Sequence, residues 1–202
     1  KFTSKEIEIT PFGVDIELFQ PKGENASGIG IVKSLEHVYG IDLLLQAFAR
    51  IEDKSIQLKI VGDGTKEEAY KTLCEEIQIS DRVDFLGRLP QNELPGFLNS
   101  IQLFVVPSRS ESFGVSAVEA AACGLPVIAA KVGGLPEVVV HESTGLLVEP
   151  ENVEQLTSAI DRMLSQPEKM SEYGANGRDF VSAQYSWDAC IDKMLNQYNQ
   201  LV

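Results

Sequence analysis

Short runs of Val, Ile and Leu alternate along the chain with longer segments whose apolar residues recur every three or four positions. Gly28 to Val32 predicts a strand, and Ile41 to Ile51 a helix with Leu44, Leu45, Phe48 and Ile51 on one side. Further strands are predicted at Ile56–Val61, Arg82–Leu86, Ile101–Val106, Pro126–Ala129 and Gly145–Val148. Between them, helical periods run over Lys66–Ile77, Glu93–Asn99 and about Val115–Ala122. Strands that are apolar throughout are buried on both faces, and the helices between them supply the crossovers that parallel strands require. The pattern predicts an α/β fold, a doubly wound parallel sheet of Rossmann-like type.

Both ends depart from this pattern. Residues 1–22 read as an extended lead-in, with Pro11 and Pro21 bracketing Phe12-Gly13-Val14-Asp15. Residues 23–185 form the Rossmann-like domain. After Pro150, helices follow one another at Val153–Leu164, Glu168–Gln184 and Ser186–Leu201. The last, in 186–202, either covers its own domain or crosses to another. A crossing helix would leave an apolar face open here and promote self-association. The chain opens on Lys1-Phe2-Thr3, with neither Met nor a signal-peptide core, as a fragment would.

Charge narrows the range of ligands. The 17 Lys and Arg face 30 Asp and Glu, a net charge of −13 over 202 residues. That field repels polyanions, which argues against sequence-independent nucleic-acid binding and against coating an anionic membrane. A small phosphate ligand stays allowed, because one or two local cations and a helix N-terminus suffice to hold it. Cys74, Cys123 and Cys190 lack CxxC spacing, and His37 and His141 form no HxxxH pair, so neither a disulfide framework nor a metal site is predicted. No apolar run approaches the ~20 residues of a transmembrane helix, and the cysteine usage fits a reducing cytoplasm.

Ligands of open parallel sheets bind outside the carboxyl ends of the strands. The most informative loop there runs from Pro107 through Ser108, Arg109, Ser110, Glu111, Ser112 and Phe113 to Gly114, which opens the Val115–Ala122 helix. Free N–H groups at Gly114, Val115 and Ser116 suit a phosphate or diphosphate. Glu111 lies before the helix and Glu119 about one turn inside it. Two acceptor-only carboxylates flanking a phosphate turn match a ligand with hydroxyls on both sides of a phosphate, the layout of a nucleotide sugar. Capping and solvation would account for the same acids. Against a solvated Glu119 stand its neighbours Ala117, Val118, Ala120, Ala121 and Ala122, the composition of a buried helix in which a carboxylate needs a partner.

Glu111-x7-Glu119 around Phe113-Gly114, followed by Ala120-Ala121-Ala122-Cys123-Gly124-Leu125-Pro126-Val127-Ile128, resembles the glycosyltransferase family 4 (group 1) enzymes. Matching pieces are Pro11-Phe12-Gly13-Val14-Asp15, Ile60-Val61-Gly62-Asp63-Gly64, Val83-Asp84-Phe85-Leu86-Gly87-Arg88, Gly133-Gly134-Leu135-Pro136-Glu137, Gly145-Leu146-Leu147-Val148 and Ser186-Trp187. Each is weak alone; in order they cover nearly the whole chain. The resemblance implies a GT-B enzyme of two Rossmann-like domains, with this chain the C-terminal, donor-binding one and residues 1–22 the lead-in from a missing N-terminal domain. It implies retaining hexosyl transfer from a UDP- or GDP-type nucleotide-sugar donor to a glycan or lipid-linked acceptor held by the missing domain, as in polysaccharide biosynthesis. Glu111 and Lys33 are then the catalytic pair. Glu119 takes the ribose hydroxyls, backbone groups of Phe113, Gly114 and Val115 the sugar and diphosphate, Arg88 lies beside the base, and Gly62 has a minor part beside the donor. No metal and no cofactor are implied, since the donor is a substrate. The isolated domain would be inactive alone. The expected place is the cytoplasm or the inner face of its membrane.

The sequence departs from the family at its cations. Where the family has Arg after the first strand stands Lys33, which keeps the charge without the bidentate fork, and where it has a Lys five residues on stands Val38. His37 next door substitutes only when protonated. A nucleotide- or sugar-binding module with impaired catalysis is therefore a rival reading, as is a nucleotide-sugar epimerase of the same architecture. A dinucleotide site is disfavoured because Gly62-x-Gly64 lacks its third glycine, position 67 being Glu. Arg109 and His141 read as surface residues, Cys123 as part of a packed turn, Gly133-Gly134 as rim-shaping, and Glu67-Glu68 and Glu75-Glu76 as solvated helix faces.

Overall fold

A computed structural model of the chain describes residues 10–23 and 26–199. Six strands form one parallel sheet: β1 (Ile29–Val32), β2 (Leu58–Val61), β3 (Val83–Gly87), β4 (Leu103–Val106), β5 (Val127–Ala130) and β6 (Gly145–Val148). Their order across the sheet is β3-β2-β1-β4-β5-β6, so the winding reverses between β1 and β4. Helices α1 (Ile41–Arg50), α2 (Glu67–Glu76), α3 (Leu94–Asn99), α4 (Val115–Ala122), α5 (Leu135–Val138) and α6 (Val153–Leu164) connect and flank the strands; α7 (Pro167–Tyr185) and α8 (Trp187–Asn199) follow.

The apolar strands are buried on both faces because each face meets a helical layer. Leu103 and Val105 join Ile29, Ile31, Leu44, Leu45, Phe48 and Ile160 on the side of α1, α2 and α6. Phe104 and Val106 join Phe97, Val118, Ala121, Val181 and Tyr185 on the side of α3, α4 and α7. This is the doubly wound architecture the alternation of runs predicts. Boundaries moved by a few residues for local reasons. The Pro126 carbonyl accepts from Phe104 (3.1 Å), but Pro126 has no N–H to give to a ladder, and β5 starts one residue later. Ile101 and Gln102 bond back to Leu98 and Gly28, which delays β4 to Leu103. Two single-turn 3₁₀ helices, His37–Tyr39 and Ser80–Arg82, and the four-residue α5 are too short to leave a period in the sequence.

Residues 10–22 of the expected lead-in pack onto the domain. Phe19 is 1% exposed. The Val14 N–H donates to the Tyr185 carbonyl (2.7 Å), and the Arg178 guanidinium of α7 donates to the carbonyls of Phe19 (2.6 Å), Ala122 (2.7 Å) and Ile16 (2.9 Å). One half-buried arginine thus joins lead-in, α4 and α7. Helix α8 follows α7 with Cys190 buried, while Trp187, Ile191, Met194, Leu195 and Tyr198 form an exposed apolar row. An open apolar face is what the sequence predicts for a last helix that crosses to another domain; residues 200–202, at the end of that expected segment, lie outside the described residues. Among the described residues no helix is long and apolar enough to cross a membrane.

Candidate functional site

The winding reversal brings the loops after β1 and β4 together at the carboxyl edge of the sheet, where such folds bind ligands. Lys33 leaves β1 and Glu111 lies in the loop after β4. Their side chains meet: Lys33 Nζ donates to Glu111 Oε2, and both are largely shielded from solvent. The same ammonium sits 4.9 Å from the centroid of the Tyr39 ring, which confines it from the other side.

Beyond Glu111 the loop enters α4 through Gly114. The first bonds of the helix run from the Ala117 (2.9 Å) and Val118 (3.1 Å) N–H groups to the Gly114 carbonyl, so the amides of Val115 and Ser116 precede the ladder. Phe113 is held between Phe12 and Tyr185, at centroid distances of 5.9 and 5.5 Å, and the Val115 side chain is exposed. Ser116 is 8% exposed and its hydroxyl has no partner among the described residues.

Glu119, one turn further, is 7% exposed and accepts a hydrogen bond from Gln91 Nε2 at 3.2 Å. Burial pushes its carboxyl up to about 7, only partly offset by the positive charge of Lys33. Glu119 is thus buried, as its alanine-rich neighbours imply, and not a solvated face residue. Lys33 consequently relates to both acids, by contact to Glu111 and by field to Glu119. Beside it a cleft of about 280 Å³ runs between Lys33, Ser34, Gly62, Asp63, Arg88 and Leu94. Of the residues singled out from sequence, Lys33, Gly62 and Arg88 line this cleft, Glu111 and Glu119 flank Lys33, and Phe113, Gly114 and Val115 form the turn between the two acids.

Two glycines let these loops approach. A Cβ on Gly62, whose φ is +140°, would stand 1.9 Å from the Lys33 carbonyl oxygen. Gly62 thus lets β2 close on the residue that carries the ammonium. A Cβ on Gly133, whose φ is +50°, would stand 1.6 Å from the Glu111 carbonyl oxygen, and the next amide, Gly134 N–H, donates to that oxygen at 3.2 Å. The Gly133-Gly134 turn therefore buttresses the backbone of Glu111.

Arg109 requires a correction: it is a clamp, not a surface residue. Its guanidinium forks onto Asp42 at 2.8 and 2.7 Å and also donates to the His37 carbonyl (2.7 Å) and Glu151 (2.9 Å). Burial raises the Asp42 carboxyl, but the hydrogen bonds and charge of Arg109 outweigh it and hold the group below its ordinary value. The backbone of Val38 completes the clamp, its carbonyl accepting from the Arg109 (2.8 Å) and Ser110 (3.4 Å) amides. Position 38 holds the β4–α4 loop through its main chain, which a Val provides as well as a Lys; the Val38 side chain itself is exposed. His141 is exposed as expected, yet its Nδ1 accepts the Leu147 N–H at 3.0 Å and so steadies β6.

Gln91 and Tyr39 join the site without a sequence signal. Gln91 reaches Glu119 across 28 positions, and Tyr39 lies in a 3₁₀ turn with no apolar period. Among the described residues no cluster of three or more His, Cys, Asp or Glu is arranged to hold a metal ion.

Comparison with known proteins follows the same outline. The family described as Glycosyl transferases group 1 matches residues 17–180. A D-inositol 3-phosphate glycosyltransferase of Segniliparus rotundus is 32% identical over 212 residues, which cover 96% of this chain and 47% of the relative. Among solved structures, a sucrose-phosphate synthase from Thermosynechococcus elongatus superposes with a TM-score of 0.87 at 34% identity, over 96% of this chain and 52% of that one. The C-terminal domain of a glycosyl transferase group 1 family protein from Francisella tularensis gives 0.79 at 26% identity, over 87% of this chain and 100% of that one. The chain spans about half the length of the curated relatives it matches.

Proposed function

This chain belongs to the glycosyl transferases group 1, and from that premise we propose that it is the donor-binding domain of a retaining glycosyltransferase. It binds a UDP- or GDP-type nucleotide sugar, and the whole protein passes the sugar to a glycan or lipid-linked acceptor. The observation that carries this reading is Lys33 at the winding reversal, in contact with Glu111 and within the field of buried Glu119.

Each group then has a task set by its chemistry. Glu119 accepts hydrogen bonds from the ribose hydroxyls, which supply the donors that a buried carboxylate lacks. The amides of Gly114, Val115 and Ser116 and the ammonium of Lys33 take up the charge on the diphosphate as the glycosidic bond breaks. Glu111, fixed by the Gly133-Gly134 turn, faces the donor sugar. Arg88 and Gly62 border the nucleoside end of the cleft. The donor is consumed as substrate, and no further cofactor enters. The half of the protein outside this chain supplies acceptor contacts, so the isolated domain binds donor without turning it over. We place the reaction in the cytoplasm or at the inner face of its membrane. Names of relatives support a hydroxyl-bearing acceptor: one is named for D-inositol 3-phosphate, another is a sucrose-phosphate synthase.

Calorimetric titration with UDP, GDP, ADP and NAD tests the reading. One nucleoside diphosphate binds, and Glu119→Ala loses at least tenfold in affinity; equal affinity in wild type and variant would overturn it. A second reading, a binding module with impaired catalysis, rests on the apolar Val38. It predicts that Val38→Lys raises diphosphate affinity and, in the full-length protein, turnover; an affinity already high and unchanged by the substitution counts against it.

A further inference from the structure

Glu119 is a carboxylate in poor surroundings. It is 7% exposed, on a helix face of alanines and Val118. The hydrogen bond it accepts comes from Gln91, an exposed residue of the β3–α3 loop that carries Arg88 and Leu89 along the rim of the cleft. The strands against α4 bring no ionisable group to it: β4 reads Leu-Phe-Val-Val and β5 Val-Ile-Ala-Ala. From α7, Arg178 points to three main-chain carbonyls at the far end of α4. In α5, Glu137 is exposed. The charged or titratable groups that do face Glu119 are Lys33, beyond hydrogen-bond contact and already paired with Glu111, and the Cys123 thiol one turn on.

An amide NH₂ beside a carboxylate favours the ionised form, because it donates to the charge. It leaves Oε2 and the remaining lone pair of Oε1 free to accept. The fork of a carboxylate can thus hold Gln91 on one side and a diol on the other.

Resting on the reading of Glu119 as the ribose acceptor, we infer that Gln91 is the positioning residue of the donor cleft, holding Glu119 ionised and oriented to accept hydroxyls and tying the β3–α3 loop to α4. Gln91 acts through Glu119 and reaches the ligand only by way of it. Donor binding then weakens as pH falls and Glu119 takes up its proton, and the Gln91 hydrogen bond moves that loss to lower pH.

Carbon-13 NMR of the glutamate carboxyls tests this on the chain as it stands, with Glu119→Gln assigning the signal. Burial is expected to bring the Glu119 midpoint up to about 7 in the wild type. In Gln91→Ala the midpoint rises by about half to one pH unit, the effect of losing one hydrogen bond to the charged form. In Gln91→Glu it rises further, because a second carboxylate opposes the first. UDP and GDP affinity of Gln91→Ala is about two- to fivefold weaker at pH 7, as the ionised fraction falls, and equals wild type by pH 9. An unmoved midpoint overturns the inference. So does an affinity loss that persists unchanged at pH 9, which marks a direct or merely structural contact. The reading of Glu119 is judged separately: if Glu119→Gln leaves nucleotide affinity untouched, that reading falls whatever the midpoint does.

Discussion

A buried carboxyl and a partly buried arginine clamp give the fold opposite dependences on pH. Glu119 takes up its proton more readily in the fold than in the unfolded chain, its pKa rising from 4.5 to about 7. Between those values the folded state binds more protons, so stability falls as pH rises and the full cost, about 3 kcal/mol, is present above the folded value. Glu119→Gln is therefore expected to match wild type near pH 4 in thermal melting and to exceed it by about 1–3 kcal/mol at pH 8. Equal stability at pH 8 would mean the carboxyl is not desolvated. Arg109 works the other way. Asp42 is held below its ordinary 3.8, so its pair with Arg109 contributes above that pH and fades as pH falls through the lowered value. Arg109→Ala is expected to cost about 1–3 kcal/mol at pH 7 in denaturant unfolding, narrowing below pH 3.8. The two residues also differ in how legible they are from sequence. The alanines around Glu119 announce its burial. Arg109 sits among Ser108, Ser110 and Glu111 with no apolar context, and its partner Asp42 is 67 positions away. Only the folded chain reveals a clamp assembled from such distant polar residues.

At the scale of elements, the β4–α4 loop is the part most dependent on its neighbours. Gly133 occupies a left-handed conformation against the Glu111 carbonyl. Gly133→Ala must move one backbone away from the other. It is expected to destabilise by about 1–3 kcal/mol and, on the proposal that Glu111 faces the sugar, to weaken nucleotide-sugar binding more than nucleoside-diphosphate binding. Parallel calorimetry with UDP and a UDP-sugar, and likewise with the GDP pair, checks this; an equal loss for both ligands would detach Glu111 from the sugar. Long elements with a clear period, such as α1 and α6, are read from sequence within a residue or so. The 3₁₀ turn at His37–Tyr39 is not, although it supplies Tyr39, the Val38 carbonyl and the His37 carbonyl to the site. Three residues are fewer than one helical period, so nothing repeats.

For the whole molecule, strand order assembles the candidate site. Alternating apolar runs and helices are legible and imply parallel strands covered on both sides, but the order β3-β2-β1-β4-β5-β6 exists only in the fold. It places Lys33 beside Glu111 despite the 78 positions between them. The net charge of −13 makes this local cation the more telling, since the overall field opposes anions. The most direct test of the donor site is amide chemical-shift mapping of the labelled chain during titration with UDP or GDP, whichever binds. Shifts concentrated at Lys33, Gly62, Arg88, Gln91 and Gly114 to Ser116 are the predicted result. Shifts confined to the opposite end of the sheet, around Asn99, Cys123 and Gly124, or to the groove between His141 and Arg162, would contradict a nucleotide-sugar site at the winding reversal.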